Sequence, residues 1–252
     1  KTTVDGATTM GTDLYIGLGT AVGDAEVWKY STTTSTWTMI GGDAINSSWA
    51  DQTFESVLSM TNDGTNIYAG LGTGTGDAEV WKYNGSSWTK IGGDGINSGW
   101  AVNTFEGVYS MTYTGGILYA GLGVSANDAE VWSWNGTAWT KIGGDSTNSG
   151  WTTNFEAVYS LTNDGTYVYA GLGLTAGDAE VWRYSISGGT WTRIGGDAIN
   201  SSWADASYEQ VLSLSYQGST LYAGLGTSAS DAEVWSWNGT AWTQIGGDSL
   251  NS

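Results

Sequence analysis

Proline, cysteine and histidine are all absent from the 252 residues. Without cysteine there is no disulfide or thiolate, and without histidine no imidazole. Ser-His-Asp triads and the usual zinc and copper sites are therefore excluded. Bases are scarce as well: seven Lys and Arg stand against 25 Asp and Glu, a formal net charge of −18. Such a surface repels phosphate backbones, which argues against a nucleic-acid partner, and it attracts cations. No run of 18 apolar residues occurs, so membrane insertion by a helix is not expected. The chain opens at Lys1 rather than Met and shows no leader pattern, as a processed or trimmed product would.

Glycine and aromatics are abundant, with 40 Gly, 16 Trp and 14 Tyr. The aromatics imply a packed core rather than an acidic disordered chain. They recur in order. Gly-Gly-Asp ends at Asp43, Asp94, Asp145, Asp197 and Asp248, in steps of 51, 51, 52 and 51. The Asp of Asp-Ala-Glu-Val-Trp falls at Asp24, Asp77, Asp128, Asp178 and Asp231. A period near fifty with several strands per unit marks propeller blades. Wrapping from the last anchor through both termini to the first covers close to one more period, which predicts a closed ring.

One unit reads as four strands. Phe54–Met60 alternates and is strand A, Asn62-Asp63-Gly64 is a turn, and Ile67–Gly72 is strand B. Asp77–Tyr83 is strand C, Asn84-Gly85 suits a primed hairpin turn, and Trp88–Ile91 is strand D. Period-2 spacing puts Glu79, Trp81 and Tyr83 on one sheet side and Ala78 and Val80 on the other. The expected fold is all-β: a five-bladed β-propeller with four antiparallel strands per blade. It forms a single domain over 1–252, with blades near 1–48, 49–99, 100–150, 151–202 and 203–252. The first unit lacks the Phe-Glu pair of Phe54-Glu55, and the last stops before the connection Trp, so closure is expected to be weakest there.

Strand B ending in glycines, then Val-Trp-Lys-Tyr, a turn and Trp-Thr-Lys-Ile, resembles a kelch-type blade. The match recurs at Val27-Trp28, Val80-Trp81, Val131-Trp132, Val181-Trp182 and Val234-Trp235, with the kelch double glycine standing here as Gly70-Leu71-Gly72. In blade number alone the chain also resembles five-bladed propeller lectins of the tachylectin type. The kelch resemblance implies a propeller and a binding role without naming a ligand.

In an antiparallel blade the B-to-C and D-to-A connections share one end. Nineteen of the 25 acids fall at or near that end, which is expected to be strongly negative. Three readings of it compete. In the first, the connection supplies a carbohydrate site once per blade. Trp49, Trp100, Trp151 and Trp203 would be stacking platforms, with Asn46, Asn97, Asn148 and Asn200 and the acids Asp43, Asp94, Asp145 and Asp197 as polar partners. In the second, the carboxylates gather Ca²⁺, although their spacing does not match calcium loops. In the third, Asp caps glycine-rich turns, Trp fills the space between blades and Glu is satisfied by a neighbouring donor. Five Asn-x-Ser/Thr sequons, among them Asn46, Asn84 and Asn200, are read as turn chemistry before glycosylation.

A glycosidase needs two carboxylates in different environments. Here they recur in like contexts, which points to a non-catalytic module. The expected function is multivalent binding of glycans or another repetitive surface ligand, in an extracellular or surface-exposed setting and without a required cofactor. A structural subunit of a filament, surface layer or virion appendage is the alternative, with homo-oligomers possible. A glycoside-acting enzyme comes third.

Overall fold

A computed structural model describes residues 3–49, 54–100, 105–123, 129–151, 155–173, 177–203, 208–226 and 232–247. Among the anchors, Asp128, Asp231 and Asp248 lie outside them. The fold is all-β and propeller-like, built from four-stranded antiparallel sheets. The first repeat is β1 (Val4–Met10), β2 (Asp13–Leu18), β3 (Glu26–Ser31) and β4 (Thr36–Gly41). The second is β5 (Ser56–Asn62), β6 (Ile67–Gly72), β7 (Glu79–Tyr83) and β8 (Trp88–Gly92). The third is β9 (Gly107–Thr114), β10 (Ile117–Gly123), β11 (Glu130–Trp134) and β12 (Trp139–Gly143). The fourth is β13 (Ala157–Asn163), β14 (Tyr167–Gly173), β15 (Glu180–Ser185) and β16 (Thr190–Gly195). The fifth is β17 (Val211–Gln217), β18 (Thr220–Leu225), β19 (Glu233–Trp237) and β20 (Trp242–Gly246). Two compact units arise, Lys1–Leu122 with Trp132–Thr140, and Gly123–Val131 with Lys141–Ser252.

Strand limits differ from the sequence reading in three strands of the second repeat, β8 running one residue further, to Gly92. Strand A of the second repeat begins at Ser56, not Phe54. The Phe54 carbonyl instead accepts the Gly23 N–H of the preceding repeat at 3.1 Å. Strand C begins at Glu79, not Asp77, because Asp77 turns back to accept the Gly74 N–H at 3.1 Å. Each D-to-A connection that is described also contains a short 3₁₀ turn, at Ile45–Ser47, Ile96–Ser98, Thr147–Ser149 and Ile199–Ser201.

The last glycine of strand B is where neighbouring repeats come closest. Gly72 pairs with Gly107, and a Cβ on Gly72 would stand 2.2 Å from the Glu106 carbonyl oxygen. Only glycine fits that approach. Both sides of the inner strands are apolar, as expected for sheets packed on two sides. In the first unit Val27, Val57, Leu71, Val80 and Val108 are fully buried; in the second, Leu172, Val181, Val211 and Leu221 are. Each such side chain contributes about 1.5–3 kcal/mol of transfer free energy.

Candidate functional site

The connection that the sequence singles out is a tightly bonded loop. After β4, Asp43 and Ala44 take left-handed φ of 49° and 60°, and Asn46 follows at 53°. Aspartate and asparagine tolerate this region better than most residues. The Ser48 hydroxyl accepts the Gly42 N–H at 3.0 Å and donates to the Gly42 carbonyl at 3.2 Å. The Ala44 N–H reaches the Trp49 carbonyl at 3.0 Å. The loop therefore folds back on strand D and carries its Trp inward.

The four connection tryptophans are not open platforms. Trp49, Trp100, Trp151 and Trp203 are only 2–3% exposed. Each donates its indole N–H to the alanine carbonyl of its own Asp-Ala-Glu segment: Trp49 to Ala25 at 2.8 Å, and Trp100 to Ala78, Trp151 to Ala129 and Trp203 to Ala179 at 2.7 Å. The D-to-A connection is thus bonded to the Asp-Ala-Glu segment in each of these four places. Trp49 also meets Trp81 and Trp88 of the next repeat edge-on, with centroids 5.7 and 5.4 Å apart. Edge-to-face packing of this kind is worth about 0.5–1.5 kcal/mol beyond burial. A stacking site for sugar at these rings is therefore corrected to a packing joint, because both ring faces are already covered.

The asparagines are exposed, yet their side-chain amides are tied to strand D. Asn46, Asn97, Asn148 and Asn200 donate their side-chain amides to the carbonyls of Ile40, Ile91, Ile142 and Ile194, at 2.9–3.0 Å. Those four carbonyls also accept the indole N–H of the next strand-D tryptophan. Trp88 reaches Ile40 at 2.7 Å, Trp139 reaches Ile91 at 2.8 Å, Trp191 reaches Ile142 at 2.7 Å and Trp242 reaches Ile194 at 2.8 Å. One carbonyl with two lone pairs satisfies a loop amide and a neighbouring repeat together. Among the described residues no buried side-chain nitrogen or oxygen lacks a partner. The amides of Asn46 and Asn200 are engaged by strand-D carbonyls, while Asn84 caps its hairpin by accepting the Ser86 and Ser87 N–H groups at 2.9 Å.

The acids are more neutralised than their sequence positions suggested. Glu79 lies against Lys90 and accepts the Trp81 indole N–H at 2.7 Å. Lys90 also reaches Asp94 at 3.1 Å. The set recurs as Glu130, Lys141 and Asp145, and as Glu180, Arg193 and Asp197. The bases sit on strand D, yet a one-residue bulge between β7 and β8 sets Lys90 opposite Trp81 and within reach of Glu79. Burial pushes the Glu79 and Glu180 carboxyls above their ordinary value, and the bonds from Trp and the base only partly offset it. Burial alone would lower Lys90, but its bonds to Glu79 and Asp94 hold the ammonium above its ordinary value. Asp94, Asp145 and Asp197 keep more than half of their side chains in solvent. Among the described residues no group of three or more metal-type ligands gathers.

Sequence reasoning missed these bases as partners. A signal was available: Lys90, Lys141 and Arg193 occupy one slot, held by Met39 and Gln244 in the outer repeats. One groove of about 240 Å³ lies elsewhere, by the C-to-D hairpins of the first unit. Lys82, Asn84, Thr89, Ile91, Trp134 and Gly136 line it.

No protein family and no curated protein matches the sequence. Solved structures do match in fold. The hydrazine synthase of Kuenenia stuttgartiensis aligns with a TM-score of 0.63 at 12% identity, over 99% of this chain and 67% of that one. The computationally designed Ika8 protein aligns at 0.57 and 12%, over 96% and 60%. A Bacteroides thetaiotaomicron protein of unknown function aligns at 0.54 and 13%, over 97% and 58%. This chain spans about three-fifths of the latter two. At such identity the likeness is one of fold alone.

Proposed function

We propose that this is a non-catalytic structural protein, a subunit of an extended assembly such as a filament, surface layer or virion appendage. We read its repeat as a kelch-type blade and its five repeats as propeller blades. The observation that carries the proposal is the doubly used isoleucine carbonyl. The strand-D Trp of one repeat and the connection Asn of the preceding repeat both bond to it, so the most regular feature of the sequence supports the stacking of repeats. The recurrent glutamates support the same reading. Glu26, Glu79, Glu180 and Glu233 each accept the indole N–H of the Trp two residues on, so the repeated carboxylate serves an internal bond in inner and outer repeats alike. Negative-stain electron microscopy of the purified chain tests it: ordered multi-subunit particles are expected, with no binding on a glycan array.

A second reading keeps carbohydrate as ligand but moves it. The groove lined by Lys82, Asn84, Thr89 and Trp134 combines polar side chains with an indole, as a sugar site does. Glycan binding lost on Lys82→Ala and retained on Asn97→Ala would favour that groove over the connections.

A further inference from the structure

Neighbouring repeats inside each compact unit meet through the same two insertions. The strand-A valine seats over a glycine of the preceding strand B. A Cβ on Gly17 would lie 2.5 Å from Val57 Cγ1, one on Gly70 2.7 Å from Val108 Cγ1, and one on Gly171 2.8 Å from Val211 Cγ1. The strand-D tryptophan seats over the glycine that ends the preceding strand D. A Cβ on Gly41, Gly92 or Gly143 would lie 2.9 Å from the Nε1 of Trp88, Trp139 or Trp191.

The first repeat bears both inserting side chains uncovered. Val4 is 57% exposed and Trp37 47%, whereas their counterparts Val57 and Trp88 are 0% and 3% exposed. Trp37 is nonetheless held ready: Tyr30 lies 5.1 Å from its ring, as Tyr83 lies 5.0 Å from Trp88. The last repeat bears both sockets empty. A Cβ on Gly224 would meet only Ser213 within 4 Å, and one on Gly246 only Val234, at 3.6 Å. Around them Tyr222, Val234 and Ile245 are 36–42% exposed, whereas Tyr169, Val181 and Ile194 are buried. Of the exposed large apolar residues among the described residues, only Val22 lies outside these two repeat surfaces. Concentrated apolar exposure of this kind marks an interaction surface.

We infer that the exposed side of the last repeat binds the exposed side of the first repeat of a second copy of this chain. Val4 of one copy seats over Gly224 of the other, and Trp37 over Gly246. The inference rests on the structural role proposed above and names the surfaces that assemble. The occupant is identified by continuity: the same valine-on-glycine and tryptophan-on-glycine contacts already join repeats within the chain. Gly246 also keeps a socket open that no side chain of its own repeat fills. The contact is heterologous, so copies add head to tail into a ring or a filament.

Sedimentation velocity over a wide concentration range tests this, with Val234→Asp blocking the socket side and Val4→Asp the inserting side. Both residues are solvent-exposed, and circular dichroism verifies that each variant folds. The wild-type mass is expected to rise with concentration, and each variant alone to stay a monomer. An equimolar mixture of the two variants is expected to form a dimer and nothing larger, since one good surface remains on each. A wild type that stays monomeric, including one whose ends close on each other, overturns the inference. So does a mixture of variants that remains monomeric. Assembly that persists in both variants also overturns it while leaving the structural role standing. Glycan binding by a wild-type monomer would instead remove the structural role itself.

Discussion

Trp88 gives its indole N–H to the Ile40 carbonyl of the preceding repeat, 2.7 Å away, and the same bond recurs from Trp139 to Ile91. Trp139→Phe keeps most of the ring and removes the donor. It is expected to cost about 1 kcal/mol in urea unfolding, the net worth of a buried hydrogen bond. Trp139→Ala also empties the joint and should cost about 3–5 kcal/mol. Equal effects of the two substitutions would mean the bond contributes nothing.

Asn97 has a left-handed φ of 54° and bonds the Ile91 carbonyl at 2.9 Å. Asn97→Gly relieves the backbone and loses only the bond, while Asn97→Ala loses the bond and strains the backbone. Thermal melts should therefore rank wild type above Gly above Ala, with the Ala variant about 1–2 kcal/mol below wild type. A more stable Ala variant would show that the amide is not part of the joint.

A methyl group at Gly72 would meet the backbone carbonyl of Glu106 at 2.2 Å, whereas one at Gly246 meets only Val234, at an ordinary contact distance of 3.6 Å. Gly72→Ala is expected to destabilise by about 1–3 kcal/mol, toward the upper end because backbone cannot rotate away. Gly246→Ala should leave the unfolding midpoint of the isolated chain almost unchanged. Chemical denaturation of both variants checks the contrast.

The lysines set an alkaline limit. Lys90 and Lys141 are held above the ordinary value of 10.5 in the folded chain, through their bonds to Glu and Asp. A raised folded-state value stabilises fully below the unfolded value and is lost as pH rises through the folded one. Stability should therefore fall above about pH 10.5, and the fall should be shallower in the Lys90→Gln, Lys141→Gln double variant. At neutral pH that variant leaves Glu79 and Glu130 without their base and should be about 1–3 kcal/mol less stable. Identical alkaline profiles would contradict the assignment.

The repeat made the sheets legible in the sequence. Anchor spacing, the strand-forming stretch read at Phe54–Met60, which overlaps β5, and the Asn84-Gly85 hairpin each carry a backbone reason visible in the letters. The role of the connection was not visible in the same way. Trp and Asn serve equally as a sugar platform or as an internal joint, and a loop is ordinarily at the surface. What decides between them is the Ala25 carbonyl for Trp49 and the Ile40 carbonyl for Asn46, and a backbone acceptor has no letter of its own. The partner of Glu79 was readable in principle from Lys90, Lys141 and Arg193 sharing a slot, since the bulge that brings them together recurs with the repeat.

Hydrogen exchange of the tryptophan indoles, followed by NMR in the Val234→Asp chain, tests the central claim most directly. The indole N–H groups of Trp49, Trp88, Trp100, Trp139, Trp151, Trp191, Trp203 and Trp242 are all bonded to buried carbonyls. They should exchange slowly and keep their shifts when glycans are added, while the half-exposed Trp37 exchanges fast. Connection indoles that exchange as fast as Trp37, or that shift on glycan addition, would contradict the reading of these residues as structural joints.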